Sequence, residues 1–191
     1  MTLIEKFRLI IIANELGGDL SHVLSFSDPD GVRSGKSGWS FGICQFDLNN
    51  NPLASTCLGE CGFTIEEIAA LKEQTIDVKP LETKLRAAAG VIARYDEMQL
   101  SGCLSRAQSI CELFRLSAED DAAILAVADY DNQYHFAPRN KDGFLLRELI
   151  LLGRPFTVRD ILHFKLEHTK WGRSNPGDCM RRFNNTIKYA A

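Results

Sequence analysis

Apolar side chains recur at Leu3, Ile4, Phe7, Ile10, Ile11 and, less regularly, Leu16, and two glycines follow at Gly17-Gly18. A spacing of three and four residues puts such side chains on one face of a helix, and a glycine pair stops it. The chain is therefore expected to open with a helix over residues 3–16 buried along one side. The period then changes. Val23, Phe26, Trp39 and Phe41 alternate with polar residues, and Asp28-Pro29-Asp30-Gly31 is a turn sequence. A small β-hairpin is expected within 19–45, the only β structure in the chain. Residues 47–62, with Asn49-Asn50-Asn51-Pro52 and several glycines, are expected to be loop.

The remainder has helical spacing. Thr64 with Glu67 forms a capping box ahead of Ile65, Ile68 and Leu71. Further helices are expected from Pro80 towards Tyr95, over Ser105 to Phe114, from a Ser117 cap to near Tyr130, over 143–152, from a Thr157–Asp160 cap towards Lys170, and after Pro176. The expected fold class is mainly α (α+β): one helical domain over 1–191, with a small β-hairpin after the first helix.

The chain has 191 residues, long enough to bury a core, and its 45% hydrophobic and 25% charged residues are ordinary for a globular domain. No apolar run reaches the roughly 18 residues of a membrane span. Leu9-Ile10-Ile11-Ile12-Ala13 runs straight into Asn14 and Glu15 without a cleavage site, so it reads as core and not as a signal peptide. Synthesis in the cytoplasm, without stable membrane insertion, is expected. The net charge of −3 is unevenly placed. Residues 159–191 hold seven Lys and Arg against three Asp and Glu, a net of +4, which leaves −7 elsewhere. A basic tail suits an anionic polymer, or is simply a solvated helix face; nucleic acid is not expected, because no basic-aromatic stripe accompanies it.

Six cysteines do not imply a disulfide framework at this length. Cys57 and Cys61 are close enough to pair or to form half a zinc site, but no second pair has ligand spacing, and free thiols are expected. His163 and His168 are five apart and do not form the His-Glu-x-x-His zinc motif. No metal and no cofactor are expected.

Glu15 is the candidate catalytic acid. A carboxyl beside Ile11, Ile12 and Leu16 at a helix C-terminus is disfavoured as an anion by desolvation and by the helix dipole, as a general acid requires; a surface Glu ending a helix is the competing reading. Asp28, Asp30 and Asp47 are candidates for the second group, with Asp30 preferred, although turn chemistry explains Asp28 and Asp30 equally well. Gly42-Ile43-Cys44-Gln45 lets the backbone approach a ligand and offers the Gln45 amide. Tyr130-Asp131-Asn132-Gln133-Tyr134-His135-Phe136 is a second dense polar-aromatic run, and aromatic faces with amides suit a sugar chain.

Taken together, Glu15 at the end of a first helix followed by a Ser- and Gly-rich stretch ending in Gly42-Ile43-Cys44-Gln45 resembles the Glu…Ser…Gly-Leu-Met-Gln pattern of soluble lytic transglycosylases and goose-type lysozymes. Ala128-Asp129-Tyr130-Asp131-Asn132 is similar to their later Ala-Tyr-Asn motif. Glu15-Leu16-Gly17-Gly18 followed by Asp28-Pro29-Asp30-Gly31 also resembles phage-type muramidases. The resemblance implies the lysozyme superfamily, a mainly helical fold cleaving the β-1,4 bond between MurNAc and GlcNAc of peptidoglycan. It makes Glu15 the acid, has Gln45 shape the site, and has Tyr130 with Asn132 touch the substrate or support Glu15; a hydrolase using Asp30 or Asp28 as second carboxylate stays open, with Ser37 and Gln133 as further candidate substrate-binding residues. Leu16 stands where transglycosylases carry Ser, Cys44 replaces their Met, and Asp131 splits the Tyr-Asn doublet. Hydrolysis and transglycosylation both stay open, as does a chitosanase-like hydrolase.

Two readings from other classes compete. In a cysteine peptidase or amidase, Cys44 would be the nucleophile and His135 its base, oriented by Asn132 or Asp131. A non-catalytic glycan-binding module would keep the groove and dispense with Glu15. For the enzyme, the expected partner is the bacterial glycan strand. The protein would be monomeric, reaching the cell wall through a holin, as an endolysin does, or through a secretion machine.

Overall fold

The computed structural model describes residues 1–31, 36–134, 136 and 143–191. These residues form ten α-helices: α1 (Leu3–Glu15), α2 (Pro52–Glu60), α3 (Ile65–Lys72), α4 (Glu82–Ala87), α5 (Ala89–Leu113), α6 (Asp121–Tyr134), α7 (Gly143–Leu151), α8 (Val158–His168), α9 (Lys170–Ser174) and α10 (Pro176–Ala190). The protein is mainly α. In place of the expected hairpin, the described residues hold one isolated antiparallel bridge, Ser27–Ser40, and a 3-10 turn, Leu20–His22. Asp28 turns the chain immediately after Ser27, and its Oδ1 accepts the N–H groups of Asp30 and Gly31. Residues 32–35 of the expected hairpin lie outside the described residues. No described helix is long and apolar enough to cross a membrane.

Three helix boundaries differ from expectation for local reasons. Residues 47–62 contain α2: the Asn51 side chain accepts the Leu53 N–H, Pro52 takes the first position where no N–H is needed, and Ala54, Cys57 and Leu58 are buried. The two helices expected within 80–114 are divided elsewhere, because the chain breaks at Ala88 and α5 then runs 25 residues without interruption. The cap of α6 is Asp120, whose Oδ1 accepts the Ala123 N–H at 2.9 Å. Ser117 lies upstream, its carbonyl taken by the Phe156 N–H beside the parallel bridge Ala118–Phe156. The capping boxes at Thr64–Glu67 and Thr157–Asp160 are present as expected.

The contacts group into two compact units, residues 1–14 with 100–191, and residues 15–99. In the first, α6 packs on α8 and α10, and α8 also meets α7 and α9. The residues 122, 123 and 125–131 of α6 are all buried, so the helix is covered on every side. Tyr130 sits in an aromatic cluster with Tyr134, Phe136 and Phe164, ring centroids 4.8–6.0 Å apart. α9 lies so close to α8 that a Cβ on Gly172 would stand 1.9 Å from the Lys165 carbonyl oxygen. In the second unit α2 packs on α3, and Phe26, Phe41, Phe46 and Phe63 form the aromatic core.

Candidate functional site

Residues 15–99 hold Glu15, the three candidate aspartates, Ser37 and Gln45. Glu15 ends α1 and is half-buried. Gly17 follows at φ +63° and turns the chain out of the helix. The chain returns through the Ser27–Ser40 bridge to a tight turn, with the Gly42 N–H donating to the Val23 carbonyl at 3.1 Å. Gly42 has φ +77°, and a Cβ there would lie 3.0 Å from both an Asp96 oxygen and the Phe46 ring.

Gln45 has φ +50°, a left-handed conformation that costs a non-glycine residue about 1–3 kcal/mol. Its surroundings impose it. The Gln45 Nε2 donates to the Gly42 carbonyl at 3.0 Å, and the Ser27 hydroxyl donates to its Oε1. Beneath the turn Asp96, fully buried on α5, accepts the Ile43 N–H at 3.1 Å and the Cys44 N–H at 3.0 Å. Charge-assisted bonds of this kind are about twice as strong as neutral ones. Sequence reasoning missed Asp96. Its signal is a charge four residues from both Ile92 and Leu100, on the buried face of α5.

The candidate second carboxylates separate by environment. Asp30 is exposed, and its Oδ2 accepts the Ser37 N–H at 2.9 Å. The Oδ1 of Asp28 is occupied by the two turn N–H groups and by Gln74 Nε2 at 3.0 Å, so Asp28 performs turn chemistry. Asp47 takes the Gly38 and Asn49 N–H groups, the Asn50 amide and the Ser37 hydroxyl. Partial burial pushes its carboxyl up, but these donors outweigh it and hold the group below its ordinary value. Three buried polar atoms of the same unit, Trp39 Nε1, Ser40 Oγ and Gln74 Oε1, have no hydrogen-bond partner among the described residues. Such groups each cost about 1–3 kcal/mol.

Cys44 is buried, its thiol turned towards the Asp96 carbonyl oxygen at 3.8 Å. His135, its base in the peptidase reading, lies outside the described residues.

The 130–134 run belongs to the other unit and continues α6, where sequence placed it at the helix end. Tyr130 is 2% exposed in the aromatic cluster, so a direct contact of its ring with a substrate, as sequence allowed, is not open to it in this packing. Asn132 is half-buried, and Gln133 accepts Lys165 Nζ at 2.8 Å. The two aspartates flanking Tyr130 are two positions apart and so face opposite sides of α6. Asp131 Oδ2 takes Nε and Nη2 of Arg106 at 2.9 and 2.7 Å. Asp129 takes Lys165 Nζ at 2.9 Å, Arg182 Nη1 at 2.7 Å and Asn14 Nδ2 at 3.0 Å. Burial alone would push the Asp129 carboxyl up, but the Arg182 and Lys165 charges outweigh it and hold the group at about 2.

The same unit fixes the end of α1. Asn185 donates to Asn14 Oδ1 at 2.9 Å, and the Arg181 guanidinium donates to the Ala13 and Asn14 carbonyls at 3.1 and 3.0 Å. Carbonyls of the last helical turn have no partner within the helix, so a cation placed there satisfies them and complements the dipole. Glu15 thus follows directly on a residue held at both side-chain ends and at its carbonyl. The described residues bring no three His, Cys, Asp or Glu side chains together as a metal site. No family model matches the chain, and no curated protein or solved structure matches it.

Proposed function

We propose that the protein is a lysozyme-like glycosidase that cleaves the β-1,4 bonds of peptidoglycan glycan strands, with Glu15 as general acid. The observation that carries this reading is the Gly42–Gln45 turn. A non-glycine residue is held in a left-handed conformation, its amide is locked at both ends, and a buried carboxylate braces the backbone beneath it. Strain maintained in this way concentrates at ligand-binding sites. The half-buried Glu15 stands in the same unit, at the end of a helix whose last carbonyls are clamped.

In this mechanism the Glu15 carboxyl protonates the glycosidic oxygen as the bond to the anomeric carbon breaks. Asp30, exposed and anchored by the Ser37 N–H, is the carboxylate proposed to orient water or stabilise the oxocarbenium-like state. Gln45 already uses its oxygen and one amide hydrogen internally, which leaves one N–H to offer a sugar hydroxyl. The lysozyme-like form of the fold belongs to the same proposal. So does release to the cell wall from the cytoplasm, by a holin or a secretion machine.

The test is mass spectrometry of products from purified peptidoglycan, with wild type and Glu15→Gln in parallel. Reducing-end muropeptides made by the wild type and lost by at least a hundredfold in the variant are expected for hydrolysis; anhydro ends lost equally indicate transglycosylation. Release of free stem peptides by both proteins would overturn the glycosidase assignment.

A further inference from the structure

Five of the six cysteines are buried, and Cys61 is half-buried. Cys57 and Cys61 stand on successive turns at the C-terminal end of α2, where the Cys61 N–H donates to the Cys57 carbonyl at 3.0 Å. Residues four apart on a helix share one face, with Cα atoms about 6 Å apart, inside the roughly 4.4–6.8 Å that a disulfide spans. The two thiols share that face, and each acts on the titration of the other. Arg94 lies beside them, paired with Glu60, and the Tyr95 hydroxyl donates to the same Glu60 at 2.6 Å.

This cluster divides the roles of the two thiols. The hydrogen bond from Cys57 favours the Cys61 thiolate, Arg94 assists, and burial and Glu60 oppose; the balance lies below the ordinary thiol value. The same hydrogen bond, with burial, makes Cys57 keep its proton. Burial pushes Cys111 up to about 11, and raises Cys103 and Cys179 as well. A thiolate that solvent reaches, next to a protonated partner thiol, is the arrangement of an exchange site.

We propose that Cys57 and Cys61 form a thiol–disulfide exchange site, in which Cys61 is the thiol that attacks low-molecular-weight disulfides and Cys57 resolves the adduct. The Cys61 sulfur attacks one sulfur of oxidised glutathione. That S–S bond breaks, and one glutathione leaves with a proton from solvent. The Cys57 sulfur then attacks Cys61 Sγ, losing its proton as the second glutathione departs. Two protein thiols are oxidised, and one glutathione disulfide is reduced to two thiols. This inference is independent of the glycosidase reading.

The test incubates the full chain with oxidised glutathione, blocks remaining thiols with N-ethylmaleimide under denaturing conditions, and maps the peptides by mass. The peptide holding Cys57 and Cys61 is expected about 2 Da lighter and unblocked, with the other four cysteines blocked. In Cys57→Ser a stable glutathione adduct should accumulate on Cys61. Iodoacetamide should label Cys61 of the native wild type at least tenfold faster than any other cysteine. A persistent Cys61 adduct in the wild type, or a Cys61 that labels no faster than the buried thiols, would overturn the proposal.

Discussion

Replacing Asp129 with Asn tests the buried ion cluster that holds α1, α6, α8 and α10 together. The substitution preserves shape and removes the anion that Lys165 and Arg182 share, both nearly fully buried, while Arg182 keeps the longer pairing of its Nε with Asp178 at 3.5 Å. Two contributions set the magnitude. The carboxyl titrates at about 2 in the folded chain against 3.8 for a free aspartate, so the charge itself is worth roughly 2 kcal/mol. The Asn amide also turns an N–H towards a cation that wants an acceptor, which adds about 1–3 kcal/mol. The expected loss is about 3–5 kcal/mol, the range for breaking one side of a buried pair. The sign of the pH dependence follows from the lowered folded value: the stabilisation is fully present above about pH 4 and is lost as pH falls towards 2. Urea unfolding followed by circular dichroism, at pH 7 and at steps between pH 4 and 2, measures both. Other carboxylates titrate in that window, so the difference between wild type and Asp129→Asn isolates this group. Replacing Asp129, Lys165 and Arg182 together with Leu, Met and Met should recover much of the loss, because no buried charge is then left alone. A loss under about 1 kcal/mol at pH 7, or a variant that weakens as steeply as wild type below pH 4, would refute the reasoning.

Two further substitutions probe the scaffold. Gly172→Ala places a Cβ 1.9 Å from the Lys165 carbonyl oxygen; backbone has to move, so the melting temperature should drop by roughly 6–12 °C, corresponding to about 3 kcal/mol, and an unchanged melting temperature would show that α9 does not lie so close. Asp96→Asn should cost about 2 kcal/mol and speed amide hydrogen exchange at Ile43 and Cys44, leaving α8 unaffected; equal protection at the two amides would remove Asp96 as the brace of the turn.

How far the site was legible depended on whether its determinants are local. The Asp28 turn and the Thr64 and Thr157 caps were readable because their partners lie within three residues. Asp129, Lys165 and Arg182 were not: each sits at a core position of a different helix, and only packing shows that three misplaced charges answer one another. Tyr130, Asn132 and Gln133 were read at the end of a helix, and they do form the last turns of α6, but the packing of that helix buries the Tyr130 ring. The same polar density serves ion pairing across helices. Asn51-Pro52 shows the converse, a helix start whose local signal was outweighed by neighbouring glycines and asparagines.

By itself, then, the sequence determined the helical character of the chain, the caps of α3 and α8, and the tight turns at Gly17 and Asp28, all set by side-chain spacing and by hydrogen bonds between residues no more than four apart. Tertiary structure decided which polar groups are buried and with whom. It set Asp96 under the Gly42–Gln45 turn, Asp129 between two cations, and Arg181 on the last carbonyls of α1. Those pairings join residues 36 to 168 positions apart. They exist because a charge removed from water must find its complement wherever the packed helices bring one within hydrogen-bonding distance.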